Sequence, residues 1–472
     1  MQTRNLLVMF TAAALLLTCC SKSDVIKTKV PVRPAGQEDV IGLRTEPIDT
    51  VRIGIVGLGM RGSFAVYRYT NVPWTRIAAI CDVEPDRVES SRKYLLDNGF
   101  PDPAVYSGEE GYKQLCERED IDLVYICTDW VNHTPIALYA MEHGKHAAIE
   151  VPAATSLQEC WALVNASERT RRHCMMLENC CYDFFELSSL QMARSGLFGE
   201  ILHVEGSYLH NLSDYWHEYW NNWRLDFNYR HRGDVYPTHG LGPICQALNI
   251  HRGDRMKTLV AMDTKSVNGI ASMHERIAAD STLFRGEAPE EFRNGDLTCT
   301  LISTENGKTI LVEHDVLTPR PYNRMYQLVG TKGYAAKYPV EQYSLRQSQL
   351  DEIGIDYKIE NQHAPLPDEV VAKMRDLYQN PILSAELEDK AKTVGGHGGM
   401  DFLMDYRLIY CLHYGLPLDM DVYDLAEWCC LSDLGTISLE HGCAPVEVPD
   451  FTRGGWKKTE GFKYAFADGT MR

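Results

Sequence analysis

The chain lacks the basic excess of a nucleic-acid binder. Its 472 residues carry 47 Lys plus Arg against 65 Asp plus Glu, a formal net charge of −18. Phosphate backbones are repelled by such a surface, so nucleic acid is not an expected partner. The chain also lacks an apolar run long enough for a membrane span: its one sustained run, Leu6 to Leu17, is far shorter than the roughly 20 residues a spanning helix takes. It has no Cys-x-x-C pair and no Cys/His spacing of a metal site, so no metal is expected. Fifteen cysteines in 472 residues fall well below the density of a disulfide scaffold. Two vicinal pairs, Cys180-Cys181 and Cys429-Cys430, sit in apolar surroundings and read as core. Internal repeats and low-complexity stretches are missing too. What is there, 44% apolar and 24% charged residues, is the make-up of a folded chain of two or three domains.

The N-terminus is atypical of the rest. Arg4, the apolar run and then Thr18-Cys19-Cys20-Ser21 read as a secretory signal, residues 1–20, with a bacterial lipobox at its end. Either Cys19 or Cys20 is the lipidated residue, or both are incidental to a plain cleaved signal. With a single Arg and no twin-Arg pair, a Sec-type route fits. The expectation is an exported lipoprotein, periplasmic or on the cell surface, touching the membrane only through its lipid. Residues 21–47 are polar, aperiodic and hold Pro31 and Pro34, the features of a tether.

Chemistry starts at Val51-Arg-Ile-Gly-Ile-Val56, a β-rich run leading straight into Gly57-Leu-Gly59-Met-Arg-Gly62 and a helical stretch. Gly57, Gly59 and Gly62 make a G-x-G-x-x-G turn between strand and helix, which lets a pyrophosphate settle on the helix N-terminus. A second strand, Thr75–Cys81, ends in Asp82, placed to accept from ribose hydroxyls and to repel a 2′-phosphate. NAD is therefore expected over NADP. Strands Leu123–Cys127, His146–Ile149 and Cys174–Leu177 alternate with helices 84–98, 133–143 and 157–170, predicting a parallel, doubly wound Rossmann domain over 48–182. From 183 to 472 the rhythm changes. A helix over Glu186–Ser195 precedes strands at Ile201–Tyr208, Asp296–Ser303, Thr309–His314 and Met325–Val329, predicting an α/β domain with an open, mostly antiparallel sheet.

Ligands of open α/β sheets bind beyond the carboxyl ends of strands. Those ends carry Thr128-Asp-Trp130-Val131-Asn132-His133, Glu150-Val151-Pro152 and Glu178-Asn179-Cys-Cys-Tyr182. Trp130 suits stacking on a cofactor; Asn132 and His133 suit hydrogen bonds to it, or helix capping and a surface histidine. Glu150 is placed to bind the nicotinamide ribose. Leu212 to Trp223 is rich in Trp and Tyr, fitting either a sugar-facing wall or an aromatic core or dimer contact.

The glycine turn, the Glu-x-Pro and the trailing sheet domain resemble the Gfo/Idh/MocA oxidoreductases. Sugar dehydrogenases of that family carry Glu-Lys-Pro with a proton-transferring lysine; this chain has Val151 there, which argues against an ordinary sugar dehydrogenase. Further stretches resemble one branch, the NAD-dependent glycosidases of glycoside hydrolase family 109, which include α-N-acetylgalactosaminidases: Glu178 to Tyr182, Tyr236 to Pro243, Arg320 to Asn323, Gly396 to Asp401 and Asp450 to Gly454. The resemblance covers almost the whole mature chain.

It implies that Met60, Arg61, Asp82, Trp130, Val131, Asn132, His133, Glu150, Val151 and Asn179 contact NAD, with Val131 and Asn132 departing from the family pattern and acting through backbone. It implies that Tyr208, Arg224, Tyr236, Pro237, Thr238, His239 and Tyr322 face the sugar, with Tyr182 near the reacting centre. His397 lies in a matching motif without an assigned role. The implied reaction is oxidation at C3, elimination of the C1 group after loss of the C2 proton, hydration and reduction. His239 and Tyr182 are the expected proton-transfer residues, with Tyr322 positioning the sugar or sharing that role. NAD would stay tightly bound and be restored each cycle. The partner is a glycan ending in α-linked N-acetylgalactosamine; a homo-oligomer is compatible with it. The competing readings are the same chemistry on another hexosamine or anomer, a net NAD-dependent sugar oxidoreductase, and a non-catalytic sugar-binding lipoprotein.

Overall fold

Val51–Val56 (β1) is buried along nearly all of its length, as a central strand of a parallel sheet must be. The computed structural model describes residues 25–213, 215–280 and 292–472. The signal and Cys19 and Cys20 lie outside them. Among the described residues no helix is long and apolar enough to cross a membrane.

β1 joins β2 (Thr75–Asp82), β3 (Ala104–Ser107), β4 (Leu123–Ile126), β5 (His146–Ile149) and β6 (Cys174–Met176) in one parallel sheet of order β3-β2-β1-β4-β5-β6. The order reverses beside β1, so the crevice for a ligand opens between the ends of β1 and β4. The helix Met60–Tyr69 packs back on β1 because Gly62 has no side chain: a Cβ there would lie 1.8 Å from the Gly57 carbonyl oxygen.

The second sheet holds β7 (Ile201–Leu209), β8 (Met256–Asp263), β9 (Thr298–Thr304), β10 (Thr309–Asp315), β11 (Gln327–Gly330), β12 (Gly333–Ala336), β13 (Gln342–Leu345) and β14 (Val446–Glu447), in the order β13-β12-β11-β7-β10-β9-β8-β14. All its pairings are antiparallel except β7 with β10. The strand expected from Met325 starts at Gln327 because Met325 and Tyr326 adopt positive φ and turn the chain. On its inner face the helix Thr238–Ala247 sits directly on β7 through glycines; a Cβ on Gly206 would lie 2.1 Å from the Gly240 carbonyl oxygen. That contact fixes the helix whose first turn carries His239.

Two expectations about organisation need correction. Residues 25–47 are a strap held along the body, not a free tether. Val40 and Leu43 are buried, Ile26 bridges to Val446, and Arg33 reaches the fully buried Glu168 at 2.9 Å. Its scattered apolar residues have no period because a strap needs none. Nor does everything after 183 belong to a separate unit. The helix Met400–His413 returns to the Rossmann domain, packs on β1 and pairs Asp405 with the buried Arg68 at 2.7 Å. The helix Val422–Cys429 likewise packs against Leu157–Thr170.

Candidate active site

A cleft of about 870 Å³ runs from the glycine turn to an aromatic box on the second sheet, and most of the expected site residues line it. At its Rossmann end Gly57 holds φ +89, where a Cβ would strike the Cys127 carbonyl at 2.6 Å, whereas a Cβ on Gly59 would meet only the tip of Arg87. The backbone is thus bare on the side facing the cleft. The helix makes its first bond from the Ser63 N–H to the Gly59 carbonyl, leaving the preceding N–H groups for an anion. Asp82 accepts from the N–H groups of Leu58 at 2.6 Å and Glu84 at 2.9 Å, which orients its carboxylate at the end of β2. Cradle, helix N-terminus and acid fit a dinucleotide, and an ADP-ribose diphosphate would be held by Gly57 to Gly62 and Asp82.

Trp130 lines the cleft but is only 3% exposed; Trp223, Phe227 and Tyr236 pack around its ring, and the Arg224 guanidinium lies 5.2 Å from its centroid. Its structural work is to join the two domains. His133 also lines the cleft, with its nitrogens 2.9 Å from the Pro152 carbonyl and 3.0 Å from the Thr128 carbonyl. Burial lowers its pKa, so it serves as a neutral clasp between two loops. Asn132 lines the cleft and donates to Asp129 at 2.6 Å. Val131 is 55% exposed and stands outside the lining, on the far side of the helix turn.

Beneath the centre of the cleft a polar network joins three of the expected NAD contacts, Arg61, Glu150 and Asn179, to Asp401 and His397, which the sequence reading left without a role. Arg61 bridges Glu150 and Asp401, both at 2.9 Å. Asp401 also accepts from Asn179 at 2.5 Å and pairs with His397 Nδ1 at 3.0 Å. Burial opposes the charge on Asp401, but Arg61, His397 and Arg68 outweigh it and hold the acid well below the ordinary carboxylate range. His397 sits at φ 47 among Gly395, Gly396, Gly398 and Gly399, all at positive φ, with its side chain 55% exposed at the cleft. The signal in the sequence was that glycine-flanked histidine followed four residues later by an acid.

On the sugar side, His239 Nδ1 lies 2.7 Å from Glu178 Oε1. Glu178 is fully buried and Oε1 also accepts from the Cys180 N–H at 3.1 Å. Burial opposes its charge, yet His239 and Cys180 bring its pKa below the ordinary value. The carboxylate therefore takes the Nδ1 proton and turns the Nε2 lone pair toward the cleft, where the Tyr236 hydroxyl stands at 3.3 Å. Burial raises the pKa values of Tyr236 and Tyr208, keeping both phenols protonated as donors. Their rings lie 4.7 Å apart, with His239 edge-on to each. Arg224 is buried, donates to Tyr219 at 2.6 Å and stacks over Tyr236. Tyr322 stands at the rim, 41% exposed, edge-on to His210 and Tyr208.

Three expected residues are not brought together with these. Tyr182 is 1% exposed, absent from the lining, and donates to Asp419 at 3.1 Å, an acid that Arg407 grips at 2.7 Å. Placing it at the reacting centre was wrong: Asn179, three residues before it, lines the cleft, while the Tyr182 hydroxyl is spent on Asp419 in the core. Pro237 and Thr238 are buried behind Tyr236 and His239 and shape the turn without lining the cleft. Glu178, missed as a functional residue, was visible as an acid at the end of β6. Glu178, Cys180 and His239 offer donor atoms within 4.8 Å of one another, but Arg324 Nη1 lies 2.8 Å from the Cys180 sulfur, a cation where a metal would bring another.

Comparison with known proteins matches both halves. An oxidoreductase-family model described as an NAD-binding Rossmann fold covers residues 51–178, and a glycosyl hydrolase 109 C-terminal domain model covers 182–458. The chain is 58% identical over 463 residues to glycosyl hydrolase family 109 protein 1 of Bacteroides thetaiotaomicron, covering 96% of this chain and 97% of that one. It is 61% identical over 444 residues to the protein of that name from Phocaeicola vulgatus, covering 94% and 92%. Among solved structures, levoglucosan dehydrogenase in complex with NADH and L-sorbose aligns with TM-score 0.62 at 17% identity, over 85% of this chain and all of that one. Scyllo-inositol dehydrogenase from Lactobacillus casei aligns with TM-score 0.57 at 14% identity, over 85% and 99%. These two likenesses show the fold.

Proposed function

The chain belongs to glycosyl hydrolase family 109, a glycosidase on an NAD-binding oxidoreductase fold, and from that premise we propose that it releases terminal α-linked N-acetylgalactosamine from glycans by a redox-neutral route. The observation that carries the reading is that one cleft holds both a dinucleotide cradle and a carboxylate-backed histidine facing an aromatic box. NAD, when bound, supplies the acceptor for the C3 hydride and its return.

The protein's own groups handle protons and position. His239 Nε2, with Glu178 behind it, is placed to accept the C2 proton that the C3 carbonyl acidifies, while the O3 proton freed on hydride loss passes to water in the open cleft. Tyr236 and Tyr208 offer hydroxyl donors to the ring oxygens, and Arg224 offers a buried cation to developing negative charge. His397 donates Nδ1–H to Asp401 and presents Nε2 at the exposed side of the cleft, suited to protonating the departing C1 oxygen. Tyr322 at the rim positions the sugar. Arg61 and Asn179, both tied to Asp401, and Glu150, paired with Arg61, would hold the nicotinamide end of NAD. Net oxidation of a free sugar is the weaker reading, because Val151 lines the cleft where a sugar dehydrogenase has its ammonium. Exported by its signal and anchored by lipid, the enzyme would have no renewable NAD outside the cell, and a cycle that restores the cofactor answers that constraint.

The test is a panel of p-nitrophenyl hexosaminides of both anomers, incubated in deuterated water without added NAD. Release of nitrophenol from the α-N-acetylgalactosaminide with deuterium at C2 is expected. Net accumulation of NADH, or release without exchange, would refute the redox-neutral reading; release from another sugar alone would refute the specificity.

A further inference from the structure

On the reading that NAD is kept through the cycle, we infer that the aromatic segment 215–223 is a retention latch for the dinucleotide, with Trp220 and Glu84 as its two halves. Trp220 Nε1–H donates to Glu84 Oε1 at 3.1 Å, across 136 positions of sequence and from one domain to the other. Glu84 stands two residues beyond Asp82, at the start of the helix Pro85–Asp97, on the lip of the cleft where the dinucleotide's ribose acid lies. Tyr215, Tyr219 and Trp223 of the same segment line the cleft that Gly59 and Asp82 line from the Rossmann side. The segment thus roofs the cleft from the Rossmann lip, which Trp220 reaches, to Arg224, which Tyr219 meets.

Packing alone does not account for this roof. Tyr215 is 48% and Trp220 38% exposed, too wet for rings whose task is core. The chain reaches across by way of two consecutive left-handed residues, Asn221 at φ 50 and Asn222 at φ 53, a conformation side chains adopt at a cost and which asparagine tolerates best. The chain is anchored on both sides of Trp220: Trp223 sits against Trp130 at 5.1 Å and Tyr219 is bonded to Arg224 at 2.6 Å. Trp220 itself is tied to the Rossmann lip only by a hydrogen bond from its ring to a carboxylate. Such a bond opens by rotation of two side chains without disturbing either core. A dinucleotide lying between Asp82 and this roof leaves past the Trp220 ring once that ring swings aside, so the bond acts on release more than on the fit of the nicotinamide.

The experiment measures NAD release directly. Wild type, Trp220→Phe, Glu84→Ala, the double variant and Trp220→Ala are purified from the same host. Bound NAD is quantified after denaturation, and its loss is followed during dialysis against an NAD-consuming scavenger. Wild type is expected to retain NAD. Trp220→Phe and Glu84→Ala are each expected to lose it about tenfold faster, the scale of one partly exposed hydrogen bond to a charged group, and the double variant no faster than either single. Trp220→Ala should release faster still. Release at the wild-type rate in Trp220→Phe and Trp220→Ala overturns the latch, as does an additive effect in the double variant. A wild type that carries no NAD and takes none up overturns the cofactor reading before any substitution is made, so the two failures are told apart.

Discussion

Replacing Glu178 with Gln tests whether the buried acid makes His239 a base. The carboxylate accepts the His239 Nδ1 proton at 2.7 Å and has no exposure of its own. Its second oxygen is buried without a partner, so the neutral amide relieves a desolvation cost and the fold should tolerate it. A buried hydrogen bond with one charged partner contributes about 1.5–3 kcal/mol, so kcat/KM should fall by about 10- to 150-fold. The fall exceeds this if the amide turns its NH₂ to the ring, because the imidazole proton then moves to Nε2 and the lone pair facing the cleft is lost. The assay is nitrophenol release across pH, with bound NAD measured in parallel to show that the cofactor half is intact. A variant within threefold of wild type would refute the assignment and leave Glu178 a packing residue.

Gly62→Ala places a Cβ 1.8 Å from the Gly57 carbonyl oxygen, so purified variant should carry little NAD and melt lower, by calorimetry, than wild-type apoprotein. Tyr182→Phe should lower the unfolding free energy by about 1 kcal/mol in urea while leaving kcat/KM unchanged, since its hydroxyl serves only Asp419. Asp401→Asn should weaken the hold on Arg61 and His397 together, seen as slower leaving-group expulsion for poor leaving groups than for nitrophenol and as weaker NAD binding by titration. Burial works against the charge on His251, but Glu427 outweighs it and lifts the pKa from 6.5 to about 9. A pKa raised on folding contributes stability that is complete below about 6.5 and lost as pH climbs through about 9. The wild-type unfolding free energy should therefore drop by about 3 kcal/mol over that window, a drop absent from His251→Gln in paired urea titrations.

The nucleotide half was legible because its constraints are local. A glycine turn, the strand before it and the acid at the end of the next strand lie within one βαβ unit, and each of Gly57, Gly62 and Asp82 stands where backbone geometry demands that residue type. The sugar half was less legible because its geometry is set across the chain. His239 and Tyr208 face each other only because Gly240 and Gly206 let helix meet strand, a contact between segments some thirty positions apart with no pattern to announce it. Tyr182 shows the limit most clearly: its motif was right and its surroundings were not, since the acid its hydroxyl meets, Asp419, and the Arg407 that grips that acid come from segments more than 200 positions away. The strap at 25–47 was misread for a related reason. Its anchors, Glu168, Tyr423 and Val446, lie far along the sequence, so no local feature separates it from a free linker.

Two histidine–carboxylate pairs face one cleft, and their surroundings differ in a way that fits a division of labour under the proposed reaction. The His239–Glu178 pair is set on a helix locked to its strand, with the acid fully buried and the imidazole side chain 12% exposed. A group that takes a proton from a ring carbon needs that rigidity, because the sugar ring is the same in every turnover and proton transfer falls off steeply with misplacement. The His397–Asp401 pair keeps its acid buried too, but its imidazole is 55% exposed on a loop whose four flanking glycines take positive φ. A group that protonates a departing oxygen meets a different remainder of the glycan each time and must stay near solvent. The common element is the buried acid, which holds Nδ1 of both rings and leaves Nε2 to the cleft. The variable element is the backbone beneath the imidazole, stiff where the substrate is constant and glycine-rich where it varies.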